Sequence, residues 1–228
     1  MEITEEQYER IKDALPVQRG NVRLSNLQVP NAVLYVAEQG CKWRGLPKRF
    51  GRWHTIYTRM NRWSKNGVLD QVFEKLQSEQ IVRIKIEAFA LDSTSIKVHS
   101  DGTGAPKKNG PQAIGKSRGG WNTKVHLVAA NARTAPMPEG LPLLMDRAYE
   151  GDEAGQLVLS LGMIPVVPPK SNRIEPWEYD RALYKKRNEI ERLFRRLKGF
   201  RRIFSRFEKL DVLFLGFLNF ALIIEALR

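Results

Sequence analysis

The chain has 228 residues, a formal net charge of +13 and a pI near 10.0. This length, with an apolar fraction of 42%, allows one domain of moderate size or a small domain followed by a larger one. The positive charge indicates a polyanionic partner, most simply DNA or RNA; an acidic membrane surface is disfavoured because no signal peptide or lipidation motif is seen. Cys41 is the only cysteine, which excludes a disulfide framework and a Cys-based zinc site and predicts a cytoplasmic location.

The chain begins with a pattern of short helices joined by turns. Thr4 is placed to cap a first helix that Pro16 stops. Asn31 is placed to cap a second helix, for which Gly40 supplies the C-terminal stop.

A third helix is predicted from Trp53 to Asn66 and a fourth from Val68 to Leu76. Arg59 and Arg62 project from the third helix away from its apolar side. We therefore predict that residues 1–80 form a helical, helix-turn-helix-like DNA-binding domain, although a plain helical bundle fits the pattern as well.

Beyond residue 81 the pattern changes to alternating segments rich in β-branched residues, which predicts a mixed sheet with helices on its faces. The predicted elements are strands over 86–98, 123–131, 141–146 and 163–169, a polar loop over 101–120 and a helix over 154–161. An apolar run over 212–224 is too short to span a membrane and predicts a buried closing helix.

The segment 184–198 predicts a helix with a cationic face beside an apolar stripe. Between residues 181 and 209 there are twelve Lys or Arg residues against three Glu, an imbalance that favours nucleic acid over an ordinary amphipathic surface helix. At about 100° per residue, four polar residues share a sector roughly 60° wide: Tyr184, Arg187, Glu191 and Lys198.

Two aspartates stand on predicted buried strands, Asp92 in LDST and Asp146 at the end of LLMD. Each alone could be an ordinary cap or turn residue. Because ligand sites gather beyond the carboxyl ends of strands, both could approach Glu191. Three carboxylates in one site need divalent cations, and Mg²⁺ is the expected ion.

These motifs resemble those of the DDE transposases of bacterial insertion sequences, specifically the insertion-sequence-5-like group of the insertion-sequence-4-related superfamily. The family signature is Tyr, two residues, Arg, three residues, Glu, six residues and Lys, and every gap fits here. LDSTSIKVH is similar to the block of the first catalytic acid and LLMDRAYEGD to that of the second. GKSRGGWNTKVHLVA resembles the block between them, and GCKWRGLPKRFGRWHTIYTRMNRW the amino-terminal domain.

The resemblance implies a ribonuclease H-like catalytic domain over residues 81–228 that nicks the ends of an insertion element and joins them to target DNA. It implies that Asp92, Asp146 and Glu191 are the catalytic residues and the ligands of Mg²⁺, for which Mn²⁺ can substitute. It also implies a homodimer on double-stranded DNA, in the bacterial cytoplasm with the nucleoid. The expected DNA contacts are Tyr184, Arg187, Arg195, Lys198, Lys116, Arg118, Arg59 and Arg62.

One departure from the family pattern leaves an alternative open. Between residues 131 and 142, where the family has a further strand and helix, only ARTAPMPEGLP intervenes, which predicts that an edge strand and a helix are missing. The alternative function is therefore a shortened, catalytically weak or inactive transposase that binds element ends. An RNA-binding module is a third hypothesis, for which no RNP-like or KH-like pattern is present.

Overall fold

The computed structural model describes residues 2–18, 22–78, 89–106, 109–130 and 140–228. Within these ranges the helices are α1 (Glu5–Ile11), α2 (Gln28–Gln39), α3 (Trp53–Lys65), α4 (Val68–Ser78), α5 (Asp152–Ser160), α6 (Arg181–Tyr184), α7 (Asn188–Leu197), α8 (Arg201–Phe204) and α9 (Asp211–Leu227). The strands are β1 (Phe89–Val98), β2 (Gly115–Ser117), β3 (Gly120–Ala130), β4 (Pro142–Met145), β5 (Ile164–Val166) and β6 (Ser205–Arg206). The chain divides into two compact units, one of 1–81, 95–124 and 196–228 and one of 82–94 and 125–195.

The core of the first unit is built around α9. This helix is apolar on nearly all sides, and it packs against both α3 and α4. The side of α3 that is buried carries Ile56, Met60 and Trp63, as its periodicity predicts. The run 212–224 is therefore a buried helix, as expected, and among the described residues no helix is both long and apolar enough to cross a membrane.

The amino-terminal helices share this core with α9 at the end of the chain, so residues 1–80 do not form a complete hydrophobic core by themselves. Helices α3 and α4 are joined by only two residues, Asn66 and Gly67, whereas residues 40–52 separate α2 from α3. The domain boundary near residue 80 and the helix-turn-helix assignment stay predictions.

The ends of α1 and α2 show which capping signals are correct. Thr4 accepts a hydrogen bond from the amide of Gln7, and the Gln7 side chain accepts from the amide of Thr4, which is the capping box expected there. The expectation for Asn31 is wrong: α2 begins at Gln28, three residues before Asn31, and Asn31 Oδ1 accepts instead from the amide of Ile3 at 2.7 Å. Gly40 ends α2 in the left-handed conformation, with φ of 66°.

The strands form a mixed sheet of order β2-β3-β1-β4-β5, with β6 pairing along the last residues of β1. Strand β4 is parallel to both β1 and β5, whereas β2 and β3 are antiparallel. With helices against this sheet and a helical segment before it, the architecture is the mixed α/β arrangement that the sequence pattern predicts, and it agrees with the ribonuclease H-like fold that the family resemblance implies.

The segment 101–120 is not a loop throughout. Its last residues form β2 and a turn that leads directly into β3, so that Lys116 lies opposite Trp121. Gly120 has φ of 97°, which the tight turn requires, and the Asn122 side chain donates to Ser117 Oγ at 2.6 Å. The predicted missing strand and helix fall on residues 131–139, which lie outside the described residues.

In the second unit, β4 is covered on both faces because alternate residues of a strand point in opposite directions. Leu143 and Met145 pack with Val158 of α5. Leu144 faces the other way and packs with Ile190 and Phe194 of α7. Any side chain of β4 or β1 that points to the α7 face is thus directed towards the helix that carries the predicted third acid.

The predicted helix 184–198 is not continuous. Helix α6 ends at Tyr184, residues 185–187 form one turn of 3-10 helix, and α7 ends at Leu197. Gly199 follows this end, and its amide bonds to Arg196 O at 2.9 Å. The prediction that Lys198 shares one sector of a helix with Tyr184, Arg187 and Glu191 is therefore wrong, because Lys198 lies beyond the end of α7. Periodicity did not reveal the 3-10 turn, because a departure over three residues leaves the pattern of apolar residues almost unchanged.

Candidate active site

Asp92 and Asp146 stand at equivalent places on two neighbouring parallel strands. The register of β1 and β4 pairs Ala90 with Leu144 and Leu91 with Met145, so the next residue of each chain segment is an aspartate. Ala90 and Leu144 both belong to the cluster packed against α7. Because residues two apart on a strand share a face, both aspartates belong to the α7 side of the sheet.

Local hydrogen bonds hold each of these aspartates. Asp92 Oδ1 accepts from the amide of Ser93 at 2.8 Å. Asp146 Oδ1 accepts from the amide of Arg147 at 2.6 Å, which caps the 3-10 turn that follows β4. This bond leaves the second carboxylate oxygen of each aspartate to other partners, and that of Asp92 contacts Arg187.

Arg187 joins the first predicted acid to the third. Its Nη1 lies 3.3 Å from Asp92 Oδ2, and its Nη2 donates to Glu191 Oε1 at 2.5 Å. The Arg187 and Asp92 side chains are each 14% exposed, whereas that of Glu191 is 44% exposed. The two carboxylates therefore share one guanidinium, and this group carries a net negative charge when all three side chains are ionised.

Tyr184 interacts electrostatically with both Asp146 and Arg187. Burial raises the pKa of the Tyr184 hydroxyl, and the negative charge of Asp146 raises it further, while Arg187 acts in the opposite direction. The Arg187 guanidinium lies 5.6 Å from the centre of the Tyr184 ring. Tyr184 also packs edge-to-face on Tyr179, with ring centres 5.5 Å apart, which fixes its position on the α7 side.

The donor set suits Mg²⁺ or Mn²⁺ in kind, because all three predicted ligands are carboxylates. Asp92 and Asp146 also suit such an ion in position, being neighbours on one face. Among the described residues, however, no three acid, histidine or cysteine side chains come together closely enough to hold a metal ion. Glu191 is paired with Arg187, so the metal assignment of the three acids stays a prediction.

Two further features around Asp146 escaped the sequence analysis. His126 Nδ1 lies 2.7 Å from the hydroxyl of Tyr149, whose amide bonds to Asp146 O at 2.8 Å. Glu150 is buried and accepts from the amide of Lys170. These contacts hold both ends of the turn that Asp146 begins. In the sequence, Glu150 could have been noticed only because it is an acid close to Asp146. No pattern in the sequence indicated a role for His126.

The predicted DNA contacts occupy different environments. Arg187 is largely enclosed, whereas Arg195, Arg62, Lys116 and Arg118 are exposed. Arg59 Nη1 donates to Leu24 O at 3.2 Å and so has a structural partner.

Lys198 belongs to the first unit. The side chain of Glu189, the acid nearest to Glu191 in sequence, lies outside the described residues.

Comparison with known proteins places the chain in a family. Residues 3–73 match the family described as "Putative transposase of IS4/5 family (DUF4096)". The chain is 32% identical over 112 residues to "Uncharacterized protein y4sN" of Sinorhizobium fredii (strain NBRC 101917 / NGR234), which covers 47% of this chain and 86% of that protein. No solved structure matches it. The chain thus belongs to the IS4/5 family of transposases.

Proposed function

We propose that this chain is a DDE transposase that nicks the ends of an insertion element and joins them to target DNA. The observation that carries the proposal is the register of β1 and β4, which gives Asp92 and Asp146 equivalent positions on the face covered by the helix of Glu191. Family membership supports a transposase in general. The site supports the more specific chemistry at phosphodiester bonds.

In this proposal Asp92 and Asp146 hold divalent cations, and Glu191 is the third ligand. Mg²⁺, when bound, would activate the attacking oxygen and stabilise the leaving 3′ oxygen. The contribution of the protein is to hold carboxylates on rigid strands, so that little reorganisation is needed when the substrate binds.

The first reaction is hydrolysis of one phosphodiester bond at the element end. A water oxygen forms a bond to phosphorus, the bond from phosphorus to the 3′ oxygen breaks, and that oxygen takes up a proton. In the second reaction the freed 3′ hydroxyl loses its proton and forms a bond to a phosphorus of the target DNA. The bond from that phosphorus to the 3′ oxygen of the target strand breaks, and the displaced oxygen takes up a proton.

Cationic side chains would hold the DNA backbone during both reactions. We assign this role to the exposed cations Arg195, Arg62, Lys116 and Arg118, together with Lys198. Tyr184 and Arg187 would contact phosphate next to the acids, and Arg59 would act mainly through the fold because Leu24 already binds it. Two element ends must be brought together before they are joined to target DNA, and we assign this step to a homodimer on the DNA. This complex would act in the nucleoid.

A second candidate function is a DNA-binding protein with weak or no catalysis. It is favoured by the short link between β3 and β4, which leaves only residues 131–141 for elements that the family pattern places there. Such a protein would bind element ends and compete with an intact transposase.

Strand cleavage of a duplex that carries inverted terminal repeats, sought in the DNA on either side of this gene, separates the two functions. We expect Mg²⁺-dependent nicks and joined products with the native chain, and loss of both in Asp92→Asn and Asp146→Asn at unchanged DNA affinity. Glu153→Gln, an exposed acid on α5, is the matched control and should retain cleavage. Binding of the repeats without any nicking by the native chain would leave only the second function.

A further inference from the structure

Arg187 uses both ends of its guanidinium on the predicted metal ligands. Nη1 contacts Asp92, Nη2 contacts Glu191, and only 14% of the side chain is exposed. A guanidinium in this position does for the carboxylates what a bound cation would do, since it offsets the repulsion between them. The Arg187–Glu191 contact is an i,i+4 pair, whereas Asp92 comes from a distant part of the chain, so Arg187 joins β1 to the helix of Glu191.

We propose that Arg187 is an internal counter-ion that competes with the divalent cation for Asp92 and Glu191. This inference rests on the proposed function, because it takes these carboxylates as metal ligands. A carboxylate oxygen that accepts a guanidinium bond is not free to coordinate a metal ion in the same direction. A divalent cation between the carboxylates would also repel the positive charge of Arg187.

The backbone around Arg187 suits a side chain that changes partner. Arg187 is the last residue of the 3-10 turn between α6 and α7, and a 3-10 stretch within a helical segment, with its poorer hydrogen-bond geometry, is a common hinge position. Arg187 can therefore withdraw from the acids while Ile190 and Phe194 keep α7 packed on the sheet.

The second partner of Arg187 is a DNA phosphate. The guanidinium fork binds phosphate in the same two-pronged way as it binds carboxylates, so it cannot hold both. DNA that draws Arg187 away from Asp92 and Glu191 frees these ligands. Since coupling between two ligands is reciprocal, DNA should raise the affinity for the cation, and the cation should raise the affinity for DNA.

The test is a titration of the purified chain with Mn²⁺ in the absence of DNA, with free Mn²⁺ followed by its electron paramagnetic resonance signal. Arg187→Gln removes the charge and should bind Mn²⁺ at least tenfold more tightly than the native chain. Arg181→Gln, an exposed residue of α6, makes the same change in charge and should bind like the native chain. Adding Asp146→Asn to Arg187→Gln should abolish the tighter binding.

The outcomes separate this inference from the proposed function. If Arg187→Gln binds Mn²⁺ no more tightly than the native chain while Asp146→Asn weakens binding, Arg187 is a structural ion pair and the metal site stands. If Mn²⁺ binding is the same in the native chain and in all variants, both the inference and the metal-dependent function are wrong.

A second variant covers the case in which Arg187→Gln does not fold. Arg187→Lys keeps the charge, but a single ammonium cannot span both carboxylates, so its Mn²⁺ affinity should lie above that of the native chain. In the native chain, a short DNA duplex should raise Mn²⁺ affinity several-fold, and in Arg187→Lys this increase should shrink. Equal affinities and equal increases in the two proteins would overturn the proposal.

Discussion

Arg202 and Glu208 form an ion pair in which Nη1 and Oε1 are 2.8 Å apart and both side chains are almost fully enclosed. Arg202 also donates to Cys41 O at 2.6 Å, while its Nε and the second oxygen of Glu208 have no hydrogen-bond partner among the residues that the structure describes. Burial raises the pKa of Glu208 from 4.5 to about 7, because it outweighs the attraction of Arg202. The first unit thus contains a carboxyl group that titrates near neutral pH.

This group should make the stability of the first unit depend on pH. Between pH 4.5 and about 7 Glu208 keeps its proton in the folded chain and loses it in the unfolded chain. The unfolded state therefore binds fewer protons, and the free energy of unfolding falls as pH rises, by at most ~3 kcal/mol. Urea unfolding at pH 5 and pH 8 measures this fall. Glu208→Gln should remove most of it, whereas the exposed control Glu175→Gln should leave it unchanged.

Two glycines in helices should respond in opposite ways to the same substitution. A Cβ added to Gly216 in α9 would lie 2.0 Å from Ser64 Oγ and 2.8 Å from Ser64 Cβ, whereas one added to Gly155 in α5 meets nothing within 4 Å. Gly216→Ala should lower the free energy of unfolding by roughly 1–3 kcal/mol, since α3 and α9 would have to separate. Gly155→Ala should raise it by about 0.5–1 kcal/mol. Chemical denaturation of both variants tests the close approach of α3 and α9; a gain in stability for Gly216→Ala would contradict it.

Arg59 and Arg62, one turn apart on α3, should contribute differently to DNA binding. Arg62 is exposed, and Arg62→Gln should reduce the slope of log affinity against log salt by about 0.9 with little change in stability. Arg59 donates to Leu24 O, so Arg59→Gln should destabilise the fold by about 1 kcal/mol and leave the salt slope nearly unchanged. Binding isotherms at several salt concentrations, together with thermal unfolding, distinguish the two. Equal loss of slope in both variants would show that Arg59 leaves Leu24 to bind DNA.

The contact between Tyr149 and His126 should matter for cleavage more than for stability. Tyr149→Phe keeps the ring that packs near Met145 but removes the hydroxyl 2.7 Å from His126, which loosens the turn that Asp146 begins. We expect about a tenfold loss of strand cleavage, in the range typical of groups that orient metal ligands. Tyr179→Phe, which keeps a neighbouring packed ring, is the control.

A double variant tests whether Tyr149 and His126 act as a unit. His126→Gln combined with Tyr149→Phe should cleave no more slowly than Tyr149→Phe alone. Additive losses would mean that each residue acts through a different partner.

Much of this protein follows from its sequence, because helices and caps depend on residues within one or two turns. The capping box at Thr4, the stop at Gly40 and the buried side of α3 all rest on such local hydrogen bonds and periodicity. The thirteen-residue apolar run likewise predicted α9 as a buried helix, because a run too short to span a membrane can be removed from water only in a protein core. The motif of Tyr184, Arg187, Glu191 and Lys198 carries the resemblance to the transposase family and is a property of the sequence alone.

Only the tertiary structure determined which charges meet. The pairing of Arg187 with Asp92 depends on the register of β1 beside β4 and on the packing of α7 over that face, neither of which a local pattern specifies. The same holds for Arg206, which the sequence presents as one more cation of a basic segment. In the fold it is fully buried and donates to Thr123, Asp211 and backbone carbonyls, because a charge removed from water must find its partners wherever the folded chain brings them.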